Sequence, residues 1–269
     1  MKLNDLVYTL GAFLMARDAA PFILGISGGQ GAGKSTLCEA LTEALEKEGK
    51  TALTLSLDDF YLPKSDRQHL ARTIHPLCAT RGVPGTHDVA LLADTLRNIK
   101  QVSPARAMHL PRFSKSHDDR LPSGAHREII ACPDFIFLEG WCVGGHADCV
   151  EESPQNSWEE AHDPQAIWKK WSRMHVGAYQ PIWDMCHATL LLRQENFEAV
   201  IDSRWLQEQG NARASGVWQF ADRAAVAEFC AHYKSWTLGI WEDLTPRADF
   251  VISRNADYDY HPLKVMNKF

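Results

Sequence analysis

The sequence has no excess of basic charge. Its 34 aspartates and glutamates outnumber 28 lysines and arginines, giving a formal net charge of −6. No cationic field therefore gathers nucleic acid or anionic lipid, and positive charge at a site must be local. Paired cysteines are also missing. The seven present (Cys38, Cys78, Cys132, Cys142, Cys149, Cys186, Cys230) are odd in number, scattered, and form no Cys-x-x-Cys, which argues against a disulfide framework and fits reduced thiols. Cys142, His146 and Cys149 are spaced like metal ligands, but no fourth ligand stands at a usual zinc spacing, so the two cysteines read as ordinary buried or loop thiols. No apolar run approaches the roughly 18 residues that span a bilayer. Leu6 to Ala16 resembles the core of a signal peptide, yet Asp5 interrupts its entry. Leu3, Val7, Leu10 and Leu14 recur there at the spacing of an amphipathic helix lying on a domain. There is no internal repeat and no low-complexity tract. The expectation is a soluble, unprocessed cytoplasmic protein acting on a small molecule, with no nucleic-acid or membrane partner; oligomeric state is left open.

What is present is enough apolar sequence for a large core: 45% of 269 residues, which suits one α/β domain over residues 1–269. Short apolar runs alternate with helix-period segments, as a mostly parallel sheet flanked by helices requires. Strands are expected at Phe22 to Ile26, Thr51 to Leu57, Phe135 to Leu138 and Ala188 to Leu192, with Phe250 to Ile252 the last. Helices are expected at Ser35 to Lys47, Asp88 to Ile99, Phe197 to Gln209 and Gln219 to Trp236. Residues 141–187, rich in Trp, Glu and His with poor periodicity, read as an irregular insertion holding one helix near Pro164 to Met174. Gly210 to Gly216 reads as a flexible linker, and about 204–218 as a small lid.

The strongest motif is Gly28-Gly29-Gln30-Gly31-Ala32-Gly33-Lys34-Ser35, a Walker A pattern between a strand and a helix, as expected of a P-loop NTPase fold. Glycines let backbone N–H groups converge on a phosphate, and the loop feeds a helix N-terminus carrying roughly half a positive charge. An anion is thus bound without a basic patch. The nucleotide-binding run is Gly28 through Thr36: Lys34 reaches the β- and γ-phosphates of ATP, and the Ser35 hydroxyl is placed to ligate Mg²⁺. Ile26-Ser27-Gly28-Gly29-Gln30 imitates an ABC-transporter signature, but it overlaps the Walker A and cannot serve a second nucleotide.

A Walker A alone does not separate kinases from GTPases or motor ATPases. The second strand ends in Ser56-Leu57-Asp58-Asp59-Phe60-Tyr61, placing two carboxylates at the carboxyl edge of the sheet, where ligands bind in such folds. A hydroxyl attacking phosphorus must lose its proton, and Asp58 is the chosen base. Asp59 either orients Mg²⁺ through water or caps the next turn. Phe135-Ile136-Phe137-Leu138-Glu139 is an apolar strand ending in an acid, so Glu139 joins Ser35 and Asp58 as a candidate Mg²⁺ ligand. No Asn-Lys-x-Asp guanine-reading motif occurs, and no sensor elements of motor ATPases are found.

Taken in order, the Walker A, Ser56-x-Asp58-Asp59-Phe60-Tyr61-Leu62, Arg81-Gly82-Val83-Pro84-Gly85-Thr86-His87-Asp88, Pro111-Arg112-Phe113-x-Lys115-Ser116 and Phe137-x-Glu139-Gly140-Trp141 resemble the D-glycerate 3-kinase family. More distantly the chain resembles uridine kinase, phosphoribulokinase and bacterial pantothenate kinase. The resemblance implies that ATP gives its γ-phosphate to a hydroxyl of a small acid such as D-glycerate. Such an acid needs a cationic anchor, so the candidate acceptor set is Asp58, Tyr61, Arg81, His87, Arg112 and Lys115. Lys34, Asp58, Arg112 and Lys115 form the candidate catalytic set, Arg112 or Lys115 neutralising the transferring group. Arg81 and His87 either touch the acceptor or shape a turn that caps the next helix. Arg204-Trp205-Leu206-Gln207 reverses the first two residues of the family's usual lid sequence, so Arg204 and Arg213 read as exposed charges. The nine Trp read as residues of hydrophobic seams, with Trp141 as a pocket wall. The alternatives are a kinase for pantothenate, a nucleoside or a sugar phosphate, and a nucleotide-binding regulatory protein without catalysis.

Overall fold

A computed structural model describes residues 2–255, 259–261 and 264–265. The chain begins with α1 (Leu3–Met15), β1 (Phe22–Ser27), α2 (Lys34–Lys47) and β2 (Ala52–Ser56), followed by α3 (Lys64–Thr73) and α4 (Val89–Ile99). Four short strands come next: β3 (Met108–Leu110), β4 (Phe113–Ser114), β5 (Asp119–Arg120) and β6 (Arg127–Ile129). Then come β7 (Phe135–Gly140), α5 (Ser157–His162), α6 (Ile167–Val176), α7 (Gln180–Trp183) and β8 (Ala188–Gln194). The chain continues through α8 (Phe197–Ser215), α9 (Arg223–Ala231), α10 (Lys234–Leu244), β9 (Phe250–Arg254) and β10 (Lys264–Val265).

Six strands form the central sheet in the order β10-β9-β8-β1-β7-β2, all parallel except β10, which pairs antiparallel with β9. The unbroken apolar character of Phe22–Ser27 and Phe135–Gly140 has its cause here, because every residue of both strands is buried, as in a parallel strand covered on two faces. Alternate side chains supply the two faces. Leu24, Phe135, Phe137, Leu190 and Leu192 pack with Leu6, Leu10, Leu14, Leu37 and Leu41 of α1 and α2. Ile23, Ile136, Leu138 and Leu191 pack with Leu92, Leu96, Trp168 and Trp236 on the other. The fold is therefore α/β, a mostly parallel sheet between two helical layers. Among the described residues no helix is long and apolar enough to cross a membrane, and all seven cysteines, which lie within them, are unpaired.

Several elements differ from the sequence expectation. Phe250–Arg254 is followed by β10, so it is not the last strand. The segment 219–236 is two helices, breaking at His232 and Tyr233, where Tyr233 turns inward to donate to the Arg81 carbonyl at 2.8 Å. α8 runs on to Ser215 and is closed by Gly216 in the left-handed region, so 210–215 is helical and not a linker. Residues 141–187 hold three α-helices in place of one, and the longest begins at Ile167.

Candidate active site

The glycine-rich loop leaves the carboxyl end of β1 and enters α2 at Lys34. Gly31 has φ +68°, and a Cβ there would lie 2.7 Å from the Ser203 side chain of α8, so this turn of the cradle accepts glycine alone. The loop is fastened from the neighbouring strands: Gln194 Nε2, at the end of β8, donates to the Gln30 carbonyl at 2.9 Å. Arg254 Nη2, at the end of β9, donates to Ser203 Oγ at 2.7 Å. Lys34 Nζ donates to the carbonyls of Gly28 and Gly29 at 2.8 and 3.1 Å and lies 4.0 Å from Glu139 Oε2. Ser35 and Thr36 are exposed on the first turn of α2, which holds no acidic residue. A helix start with no competing acid, a backbone cradle and a lysine at its rim fit a polyphosphate.

Glu139 is the next-to-last residue of β7, which lies between β1 and β2, and is paired in register with Ile26 and Ser56. The next step around the carboxyl edge is the single 3₁₀ turn Leu57–Phe60, which carries Asp58 and Asp59. A buried carboxylate and the Ser35 hydroxyl beside Lys34 are hard oxygen donors of the kind Mg²⁺ takes.

The two aspartates part company. Tyr61 Oη donates to Asp58 Oδ1 at 2.7 Å, and Lys115 Nζ lies 2.6 Å from Oδ2. Burial pushes the Asp58 carboxyl up, but Lys115, the Tyr61 hydroxyl and Lys34 together outweigh it and hold the pKa at about 2. Asp59 instead accepts from the Phe113 N–H at 3.0 Å, with Arg112 Nε at 3.6 Å; it clamps the β4–β5 hairpin, and burial raises its pKa. Arg112 thus faces Asp59, while Lys115 faces Asp58.

Arg81 and His87 lie on the loop between α3 and α4, and neither caps the helix that follows. Asp88 does so, accepting from the Leu91 N–H at 3.0 Å. Arg81 pairs with Asp118, and its guanidinium lies 5.6 Å from the Phe113 ring centre. His87 is buried, stacked on Tyr61 at 4.6 Å, with Nδ1 2.8 Å from the Tyr179 hydroxyl. That hydroxyl also accepts from the Gly85 N–H at 3.1 Å, so one phenol joins the His87 ring to the Gly85 backbone. Nε2 is buried without a partner among the described residues. Burial lowers the His87 pKa to about 4, and the ring is neutral at pH 7.

The Trp-rich segment forms the floor of this loop. Trp141 Nε1 donates to the Gly82 carbonyl at 2.9 Å, and Trp171 lies under Gly85. The exposed-charge reading of Arg204 is corrected: its side chain is 12% exposed and pairs with the buried Glu208 at 3.3 Å.

Four residues near the site were not singled out from sequence. Arg67 is fully buried, donating to the carbonyls of Leu62, Ala79 and Asp118, and Arg120 bridges the Tyr61 carbonyl and Asp88. No local signal marks either one. Gln194 and Arg254 each end an apolar strand, the same signal that marks Glu139.

No family model matches the chain. An uncharacterized kinase of Schizosaccharomyces pombe is 31% identical over 227 residues, covering 80% of this chain and 79% of that protein. The chloroplastic D-glycerate 3-kinase of Arabidopsis thaliana is 33% identical over 177 residues, 62% of this chain but only 36% of that longer protein. In the solved structures, D-glycerate 3-kinase from Cryptococcus neoformans superposes with a TM-score of 0.75 at 22% identity, over 97% of this chain and 99% of that one, a likeness of fold. The relatives are kinases, and the aligned length leaves little of either the yeast protein or this chain outside the match: the chain belongs to the D-glycerate 3-kinase-like family of P-loop kinases.

Proposed function

We propose that this kinase transfers the γ-phosphate of ATP to a hydroxyl of a small carboxylic acid, with D-glycerate as the acceptor. The observation that carries the reading is the pairing of Asp58 with Lys115 and Tyr61 at the sheet edge next to the Walker A lysine, because it puts a proton acceptor and a carboxylate-binding cation at one point. The similarity to D-glycerate 3-kinases points to the same acceptor.

In this reading the loop amides and Lys34 hold the β- and γ-phosphates. Ser35 and Glu139 hold Mg²⁺, which would neutralise charge on the phosphates. An incoming carboxylate competes with Asp58 for Lys115; Arg112 stands at the start of the same hairpin, and Arg81 reaches it from the α3–α4 loop by pairing with Asp118. Drawing Lys115 away removes the main force depressing the Asp58 pKa, so anchoring the acid readies the base. Little basicity is required, since in a loose transition state the attacking hydroxyl becomes acidic only as the new P–O bond forms. Tyr61, stacked on His87, orients the Asp58 carboxylate.

The test is γ-phosphate transfer from ATP with Mg²⁺ to D-glycerate, pantothenate, a nucleoside and a sugar phosphate in parallel. The proposal requires D-glycerate to show the highest kcat/KM. Higher turnover of another acceptor would replace the substrate, and nucleotide binding without turnover of any would remove catalysis.

A further inference from the structure

Away from the active site, where the Trp-rich segment meets α10, three side chains bring metal-binding atoms together. A ring nitrogen of His146, Sγ of Cys149 and a carboxylate oxygen of Asp243 all lie within 4.8 Å of one another. His146 Nε2 is 3.0 Å from Asp243 Oδ1. Local structure explains the convergence. His146 caps and Cys149 ends one 3₁₀ turn, Ala147–Cys149. α10 comes against that turn at Gly239, where a Cβ would sit 1.6 Å from the Cys149 carbonyl oxygen. Asp243 is four residues on, hence on the same helix face.

Each of the three has a partner that would hold it as a ligand. Arg247 takes Asp243 Oδ2, with Nε at 3.1 Å, leaving Oδ1 for the site. The His146 N–H donates to Cys149 Sγ at 3.5 Å, the kind of bond that supports a thiolate. His146 Nδ1 is 3.6 Å from Asp148 Oδ2. As placed, Nδ1 accepts from the Asp148 N–H at 3.3 Å and Nε2 donates to Asp243. A cation on Nε2 requires the other tautomer, whose Nδ1–H gives up the bond from the Asp148 N–H and turns to the Asp148 carboxylate 3.6 Å away, the partner that ligating histidines commonly have. Tetrahedral zinc, with bonds of about 2.0 to 2.3 Å, spaces its ligand atoms by roughly 3.3 to 3.7 Å, so shifts of about 1 Å complete the site. Cys149 is buried while His146 and Asp243 are a quarter exposed, leaving an open side for water.

We propose that His146, Cys149 and Asp243 bind one zinc-class divalent cation, with water as fourth ligand, tying the Trp-rich segment to α10. One nitrogen, one sulfur and one carboxylate oxygen form a borderline donor set that disfavours hard Mg²⁺, so this site is chemically separate from the nucleotide site. Of the three residues with metal-like spacing in sequence, Cys142 drops out and Asp243 takes its place, about a hundred positions downstream.

The probe is Co²⁺ added to untagged, metal-free full-length protein, followed by absorption. One equivalent is expected to give a sulfur-to-cobalt charge-transfer band in the near ultraviolet with visible bands of tetrahedral intensity, displaced by one equivalent of Zn²⁺. Cys149→Ser removes the charge-transfer band and Cys142→Ser keeps it. Arg247→Ala, at an exposed position, lowers Co²⁺ affinity by roughly 10- to 100-fold; this variant carries the test if Cys149→Ser fails to fold. Absence of the band at saturating Co²⁺, its survival in Cys149→Ser, or unchanged affinity in Arg247→Ala overturns the proposal.

Discussion

Lys115 Nζ and Asp58 Oδ2 are 2.6 Å apart, so the carboxylate proposed to take the acceptor's proton is already held by a cation from the β4–β5 hairpin. Burial alone would raise the Asp58 pKa, and Lys115 is the largest of the influences that bring it down to about 2. The contact fixes both the ionisation of Asp58 and the position of the hairpin tip.

Removing the ammonium tests that balance. In the free enzyme Asp58 stays ionised down to about pH 2, so kcat/KM should show no acidic limb from this group in the neutral range. In Lys115→Ala the largest influence lowering the Asp58 pKa is gone and that pKa rises, so an acidic limb should move upward in pH while KM for an acidic acceptor increases. A pH profile of kcat/KM for the two proteins decides; superimposable profiles would show that Lys115 does not govern Asp58.

The phosphate end has a separate expectation. Lys34 Nζ is bonded to its own loop carbonyls and sits beside Glu139. Phosphoryl transfer depends on positioning and charge stabilisation, so Lys34→Ala should reduce kcat by on the order of 10² or more. Asp58→Asn should reduce it by about 10² to 10⁴, with nucleotide affinity little changed. Equilibrium binding of ATP beside steady-state turnover separates these effects; wild-type turnover by Asp58→Asn would sink the base assignment.

How much of this could be read from sequence depended on whether burial followed hydropathy. β1, the glycine loop and α2 were legible because their apolar residues are the buried ones. In α6 the buried face is Trp168, Lys169, Trp171, Ser172 and Val176, and the interior of the segment includes a Lys169–Glu159 pair at 2.7 Å with both side chains almost fully buried. A lysine and a serine on the inner face blur the apolar period, so α6 is legible only as a helix near Pro164 to Met174, and the short α5 and α7 are not legible at all. α8 buries Ser203 and Glu208 for the same kind of reason, and its helical run through 210–215 looked like a loop. Arg67 and Arg120 spend their hydrogen bonds on carbonyls from distant loops, a role set by the tertiary fold alone.

Two histidines make stability depend on acid. Burial lowers the pKa of His87 to about 4, and burial with help from His162 lowers that of His232 to about 3, both from an ordinary 6.5. Below pH 6.5 the unfolded chain binds protons that the folded chain refuses. Their contribution is therefore complete above pH 6.5 and is lost as pH falls towards 4 for His87 and 3 for His232, on the order of 3 kcal/mol or more for each. Urea midpoints measured between pH 7 and 4 should fall less steeply in His87→Gln and His232→Phe than in the parent. Equal slopes would place the acid sensitivity elsewhere.

The support beneath the acceptor loop can be measured by comparing two glycines with similar backbones. Gly85 has φ +97° and Gly49 has φ +73°, so an alanine at either carries the left-handed penalty of roughly 1 kcal/mol. Only Gly85 has a neighbour: its Cβ would lie 2.5 Å from the ring of Trp171, whereas nothing lies within 4 Å at Gly49. A buried indole cannot yield as a flexible chain end does, so Gly85→Ala should lose about 1 to 3 kcal/mol more than Gly49→Ala. Relief of the clash would lift the loop from Trp171 and stretch the Gly85 N–H bond to Tyr179, disturbing His87. Gly85→Ala should consequently raise KM for the acceptor while leaving that for ATP near the parent value, and Gly49→Ala should change neither. Similar stability losses and unchanged acceptor KM in both variants would mean that Trp171 does not hold the loop in place.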